Sequence, residues 1–392
     1  MIVRVLDIAF DPLIGAGMDR TRTRFGRYRP WLLVGAPMIM AGMLMLFTAE
    51  AGVGPLFLSF WLIVAYAGWS AFGLAQLALA ADASPDYHER SRIYAWWQFA
   101  FMLGMVATML IPKLLALVGR PEQQLAMTMM AWFVVIITPL VAAFTFTNIR
   151  ERKVPVAQHA SRLRDYLKLA VRKDVRIVLA GELLLGLAAG TTTTLALFFF
   201  VLAKGIAPED VGLILIGQFL VALCVMPLWT RIARHLDKHR ALSLAAVGSG
   251  AVQIPLYLMP VGNLPMAIAV FALVGLFYGA IAMLPRAMVA DCADVHRFDT
   301  GQDSTGLMFA LLIGTWKIGQ ALAVGLLFSL LDWIGFRPML DAVNSPDALL
   351  RLQWLYCFLP LALSLAAAAL MLRYPLTSRR HAEIRAAFAG SE

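Results

Sequence analysis

Apolar runs of about twenty residues recur along the whole chain, and that is the length an α-helix needs to cross a bilayer. They fall at about 1–18, 31–49, 55–81, 93–118, 124–147, 176–203, 210–230, 241–260, 264–290, 305–333 and 350–372. The runs are continuous, whereas a membrane β-barrel strand alternates polar and apolar residues. Of the 392 residues, 61% are hydrophobic and 15% charged; a soluble domain has about half and a quarter. The expected fold class is therefore all-α, a polytopic protein of the cell (inner) membrane with about eleven transmembrane helices.

Charge sets the orientation. The net charge of +9 raises the thought of nucleic acid, but the bases sit in short loops between spans, where positive charge fixes topology. No nucleic-acid partner is expected. The 19–30 loop holds Arg20, Arg22, Arg24, Arg27 and Arg29, and the 149–175 segment holds eight Lys and Arg. The 231–240 stretch and the C-terminal tail add more, whereas the loops at 50–54 and 261–263 hold none. The basic set, C-terminus included, is cytoplasmic. Cys224, Cys292 and Cys357 lack metal spacing and read as packing residues. Met1 opens directly into a span, so no cleavable signal peptide is expected.

The 149–175 segment is the longest polar connector. It divides an N-terminal bundle, 1–148, from a C-terminal bundle, 176–372, followed by a cytoplasmic tail, 373–392. Eleven spans with the C-terminus inside put the N-terminus outside. One further span upstream would make an even count with 6+6 helices, so a first helix is expected to be missing. "DPLIGAGMDRTRTRFGRYRP" and "MPLWTRIARHLDKHR" repeat one pattern at equivalent places in the two halves. Duplicated halves are what rocking transporters are built from.

Within the first run, "LDIAFDPLIGAGMD", Asp7 and Asp11 stand four residues apart, on one helix face. Each intramembrane carboxylate costs about 2.5–3.5 kcal/mol to insert, so the pair costs roughly 5–7 kcal/mol before repulsion. Protonation, a basic partner or a bound cation offsets that, and oxygen ligands suit a hard cation. The plainer reading pairs the acids with Arg4 or nearby backbone. Lys317, about a dozen residues into "LLIGTWKIGQALAVG", is too deep to snorkel and needs a carboxylate or a polar ligand. Glu182 reads as snorkelling or pairing locally with Arg176. Thr191–Thr194 either line a pore or bond back to their own helix. Trp96, Trp97 and Gln98 suit a sugar, and the tryptophans equally suit an interface anchor. His235 and His239 have metal-ligand spacing without a third ligand, so no metal site is expected beyond a possible Na⁺ at Asp7 and Asp11. No nucleophile–base set, P-loop or CxxC appears; no enzyme and no cofactor are expected.

"LDIAFDPLIGAGMDRTRTRFGRYRPW" resembles the hallmark of the glycoside–pentoside–hexuronide:cation symporters, the melibiose-permease-like branch of the major facilitator superfamily. "ADASPDYHERSRIYAWWQ" resembles the loop after that family's fourth helix. "MLPRAMVADCADVHRFDTGQDSTGLMFALLIGTWKIGQALAVG" is similar to its tenth and eleventh helices, and "LLDWIGF" to the end of the eleventh. The resemblance runs from Leu6 to about Leu372 and implies twelve helices in two six-helix bundles. It places the cation-binding acids on Asp7 and Asp11, a helping hydroxyl on Ser70 and the helix-11 lysine on Lys317. It also implies departures. The acid bridging cation and sugar falls on Gly73, the stacking Trp on Leu77, the sugar-binding Arg on Gln98 and a polar cation ligand on Phe10.

The expected function is cation-coupled symport, by Na⁺ or H⁺, of a small solute such as a sugar or glycoside. Asp7, Asp11 and Ser70 bind the ion, and Lys317, Trp97, Gln98, Gly73 and Leu77 mark the substrate and coupling region. Asp19, Arg20, Arg27 and Arg29 form a cytoplasmic latch, and the protein acts as a monomer. The alternative is a non-transporting truncated paralogue serving as a membrane partner or sensor; the cost of keeping two intramembrane acids opposes it. Reporter fusions at Ala157 and Ala389 are expected to report cytoplasm. A signal from the opposite side at either position overturns the orientation.

Overall fold

The computed structural model describes residues 2–49, 52–84, 86–120, 122–149, 151, 168–340, 342–377 and 383; the side chains of residues 2–9, 87, 88 and 209 are outside the description. Twelve helices are described: α1 Ile2–Arg20, α2 Arg29–Phe47, α3 Pro55–Ala83, α4 Tyr87–Leu117, α5 Gln123–Asn148, α6 Lys173–Phe198, α7 Val211–Leu236, α8 Lys238–Ala251, α9 Gln253–Leu258, α10 Leu264–Thr300, α11 Thr305–Trp333 and α12 Pro346–Met371. Among the described residues β-pairing is limited to an isolated bridge, Thr23 to Gly26.

Among the described residues, ten spans are long and apolar enough to cross a membrane, with α8 and α9 forming one of them. The remaining helix of membrane length is α1, whose sequence carries Arg4, Asp7, Asp11, Asp19 and Arg20. Charge, not length, separates it from the others. Proline opens α2, α3, α10 and α12 in their first turn, where its missing N–H has no intrahelical partner to lose. Asn263 and Ser345 cap α10 and α12 by accepting from Met266 N (3.0 Å) and Ala348 N (3.2 Å). Gly301, at φ 68°, ends α10 in the left-handed region that glycine adopts without penalty.

By chain order, α1–α5 end at Asn148 and α6–α12 begin at Lys173, a first and a second group; α4 of the first packs mainly against α7 and α10 of the second. In the second group α6 lies against α11 and α12, and α7 against α10. Small residues bring the backbones together, as membrane helices require when no hydrophobic force drives them. A Cβ on Gly186 of α6 would stand 2.9 Å from the Trp316 carbonyl oxygen of α11, and one on Gly190 would stand 2.7 Å from the Ala323 Cβ. The outer faces present Leu33, Phe60, Leu140, Phe144, Leu220 and Leu322, side chains compatible with lipid. Between the groups run contacts of α1 and α3 with α11, and of α4 with α7 and α10.

The Gly186 contact sets a stability expectation. Gly186→Val forces α6 away from a backbone carbonyl that cannot rotate aside. It is expected to destabilise the protein by about 1–3 kcal/mol, read as a lower melting temperature in detergent. Gly104→Ala, with nothing within 4 Å of its Cβ position, is expected to leave it unchanged.

Candidate functional site

At a rise of 1.5 Å per residue, Asp11 lies about 13 Å from the Arg20 end of α1, and Lys317 about 18 Å into α11. Both are therefore at membrane depth. The structure brings them together: Lys317 Nζ stands 2.9 Å from Asp11 Oδ2 and 3.2 Å from Asp11 Oδ1, and donates to Ser70 Oγ at 3.2 Å. Asp11 is 0% exposed and Ser70 4%. Three helices from both groups, α1, α3 and α11, meet at one ammonium. The Asp7 side chain lies outside the described residues.

The other positions singled out in the sequence lie along α1, α3 and α4. Phe10 is half-buried. Gly73 has no heavy atom within 4 Å of its Cβ position, so the space where the resemblance implies an acid is open. Leu77 is buried and its carbonyl accepts from Tyr94 Oη at 2.9 Å. Trp96 is exposed, whereas Trp97 turns inward and donates from Nε1 to Gln76 Oε1 at 3.2 Å. Gln98 is buried, and its Oε1 has no hydrogen-bond partner among the described residues.

A cavity of about 450 Å³ opens mainly among α6, α7, α10, α11 and α12, with Met105 and Met109 of α4 on its wall. Its polar lining includes Thr192, Thr193, Gln218, Gln253, Tyr278 and Gln320. The threonine run does both things expected of it. Thr191 and Thr192 bond back to Leu187 O and Ala188 O, while Thr192 and Thr193 face the cavity. Glu182 forms no pair with Arg176. It is 6% exposed, and the charge that reaches it is that of Arg286.

The ends of the helices at the basic loops are sealed by polar contacts, some between the two groups and some within the first. Asp19 accepts from Gly306 N (3.1 Å) and Leu307 N (2.9 Å), capping the first turn of α11. Arg27 lies 3.3 Å from both Asp19 and Asp303. Arg29 Nε donates to Ile149 O at 3.1 Å, and Glu151 accepts from the Tyr28 amide at 2.7 Å. Arg20 is exposed. Burial works to raise the Asp303 carboxyl, but Arg27, the Thr305 hydroxyl and amide, and Arg297 together hold it below its ordinary value. A depressed carboxylate stabilises the fold above its unfolded pKa and loses that contribution as pH falls through the folded one; the seal at Asp303 weakens only in acid.

Sequence reading passed over a second seal. Arg90, 1% exposed, meets Asp294 at 2.7 Å and Asp291 at 3.4 Å, and Lys238 meets Asp291 at 2.5 Å. The available signal was the pair of acids three residues apart in "ADCADVH", one turn of one helix face. It also passed over Arg286, although a charge inside the apolar run "MLPRAMVA" is itself a signal.

Comparison with known proteins places these features. Residues 1–378 match the family model described as MFS/sugar transport protein. The putative glycoside/cation symporter YagG of Escherichia coli (strain K12) is 22% identical over 97% of this chain and 83% of its own length. The isoprimeverose transporter of Lactiplantibacillus pentosus is 24% identical over 95% of this chain and 79% of its own. Among solved structures, the fucose:proton symporter of Escherichia coli superposes with a TM-score of 0.66 at 14% identity, covering 96% of this chain and 90% of its own. That last likeness is one of fold.

The Asp11–Lys317 pair makes a thermodynamic expectation. Removing one partner strands a buried charge, so Lys317→Gln is expected to cost about 3–5 kcal/mol. Asp11→Asn/Lys317→Gln removes both charges and is expected to recover most of that loss. Melting temperatures of the two single variants and the double variant measure the coupling; additive losses refute it.

Proposed function

Because this chain belongs to the MFS/sugar transport family, we propose that it is a solute:cation symporter that carries a saccharide with Na⁺ or H⁺ by alternating access around a midplane site. The observation that carries this reading is the contact of Lys317 with Asp11 and Ser70 across the two helix groups. Its electrostatics explain coupling. Asp11 requires a positive partner at membrane depth, and in this arrangement Lys317 supplies it from the opposite group. A proton on the carboxyl, or Na⁺ against its oxygens, satisfies Asp11 in place of the ammonium. Lys317 is then released, and one contact joining α1 to α11 is lost.

The seals at the basic-loop ends must also part for the halves to rock. The Asp19 cap of α11, the Arg27–Asp303 contact and the Arg90–Asp291–Lys238 cluster all join polar groups. Water can solvate such groups when the seam opens, which it cannot do for an apolar interlock. Asp19 and Arg27 thus serve as the latch, with Arg90, Asp291 and Asp294 beside them, whereas Arg29 holds Ile149 O within its own group. Gly73, Leu77 and Gln98 replace the groups the family resemblance implies for galactosides, so melibiose is not the expected solute.

The test uses proteoliposomes, a panel of labelled mono- and disaccharides, and imposed sodium or proton gradients. At least one saccharide is expected to accumulate under one of the two gradients. Asp11→Asn is expected to bring accumulation to background while leaving part of the counterflow exchange, because the halves still rock with a neutral side chain. A variant that accumulates solute as well as the wild type removes the carboxylate from coupling.

A further inference from the structure

α11 and α12 follow one another in the chain, yet both pack on α6 rather than on each other. They leave a groove of about 720 Å³ between them, open to the outer face of the second group. Leu330 and Trp333 of α11 line it, with Arg351, Trp354 and Leu359 of α12. Asp19 caps α11 at the basic-loop side by accepting from Leu307 N. At 1.5 Å per residue, Trp333 at the other end of that helix is about 40 Å away. The groove therefore lies at the membrane face opposite the basic loops.

Arg351 is out of place there. On that side the loops at 50–54 and 261–263 hold no base, so topology does not call for one. Arg351 is exposed and donates to Ile334 O at 3.5 Å. Among the described residues no carboxylate pairs with it, Asp332 and Asp347 included. Most of its donors are thus left to whatever enters the groove. The lining also changes character with depth. Arg351 is five residues, about 7–8 Å, from the start of α12, and Leu359 is about 12 Å deeper. Trp333 and Trp354 are 83% and 53% exposed, as tryptophans are at the headgroup level of a bilayer. A guanidinium at the interface, two indoles beside it and leucines below follow the profile of one membrane leaflet.

We propose that the groove between α11 and α12 is a phospholipid site, with the Arg351 guanidinium on the lipid phosphate and an acyl chain laid along Leu330, Trp354 and Leu359. The planar guanidinium offers a fork of donors that matches two phosphate oxygens. Basic pockets between membrane helices hold lipid headgroups in this way. The apolar end of the groove selects the occupant, because a free phosphate makes no use of it and a diacyl lipid does. A lipid so held fills the gap between two helices that do not pack on each other, and so ties α11 to α12 within the second group. The inference concerns the outer face of that group and does not depend on which solute the protein carries.

The experiment titrates lipid onto the purified full chain in detergent and counts bound molecules by native mass spectrometry. The probes are dioleoylphosphatidylethanolamine and dioleoylglycerol, which share their chains and differ in the phosphate headgroup. The first has no net charge, so the basic loops do not gather it as they would an anionic lipid. The wild type is expected to hold its first phosphatidylethanolamine at least about tenfold more tightly than R351Q does. R351K keeps the charge without the fork and is expected to fall between. Dioleoylglycerol is expected to bind both proteins equally and weakly. Arg351 is exposed, so R351Q is expected to keep the wild-type melting temperature. L359W fills the apolar end, leaves Arg351 in place, and is expected to lose the lipid too. Equal affinity of wild type and R351Q, or of the two probes for the wild type, overturns the proposal. So does an L359W variant that binds like the wild type. Displacement of the lipid by inorganic phosphate would make the groove a free-anion site and overturns it as well.

Discussion

A carboxylate at membrane depth cannot be left to the lipid. Asp11 is fully buried, and its positive partner, Lys317, comes from a helix of the other group. They stand 306 positions apart in the chain. In this arrangement the cost of inserting an acid into α1 is offset by laying α1 and α11 side by side. That single contact ties the first helix, whose sequence is too charged to count as an apolar span, into the core of the protein. It also makes the fit of the two halves depend on the charge of one side chain.

The contrast with packing inside each half sharpens the point. Gly186 and Gly190 bring α6 onto the backbone of α11 closely enough that an added methyl has no room. Such contacts are rigid, because their atoms are backbone and do not rotate away. Between the halves, much of the binding is polar: the Asp19 cap of α11, Arg27 with Asp303, and Arg90 with Asp291 and Asp294. Hydrogen bonds and ion pairs exchange readily with water, whereas interlocked backbones do not. The seam is not polar throughout: a Cβ on Gly15 of α1 would stand 2.8 Å from the Gly306 carbonyl oxygen of α11, so backbone also meets backbone between the groups.

How much of this was legible in the sequence follows from the same physics. Hydrophobic length announces membrane helices without any partner, so the spans of the α-helical bundle are visible residue by residue. The break between α8 and α9 inside one span is not visible, since it is local and costs no hydropathy. Asp11 and Lys317 stand out because each is a charge in an apolar run, but their pairing is a tertiary fact. Glu182 shows the limit. Its neighbour in sequence, Arg176, suggested a local pair, yet burial turns it toward Arg286, 104 positions later in the numbering. Arg90 and Asp291 sit close to span ends, where charges are ordinary; the acid pair in "ADCADVH" marks one helix face, but its partner Arg90, 201 positions earlier, is a tertiary fact.

The two intramembrane charge clusters differ in one respect. Asp11 and Lys317 are in contact; Arg286 and Glu182 are not. A site for a coupling ion can close on itself between cycles, because an ammonium and a small cation make similar demands on a carboxylate. Holding two opposite charges apart in a low-dielectric interior needs support. The Trp97 face gives Arg286 that support from the opposite helix group, while Gln76 fixes the ring. In the proposed mechanism the closed pair, Asp11 of α1 with Lys317 of α11, reads the ion across the seam.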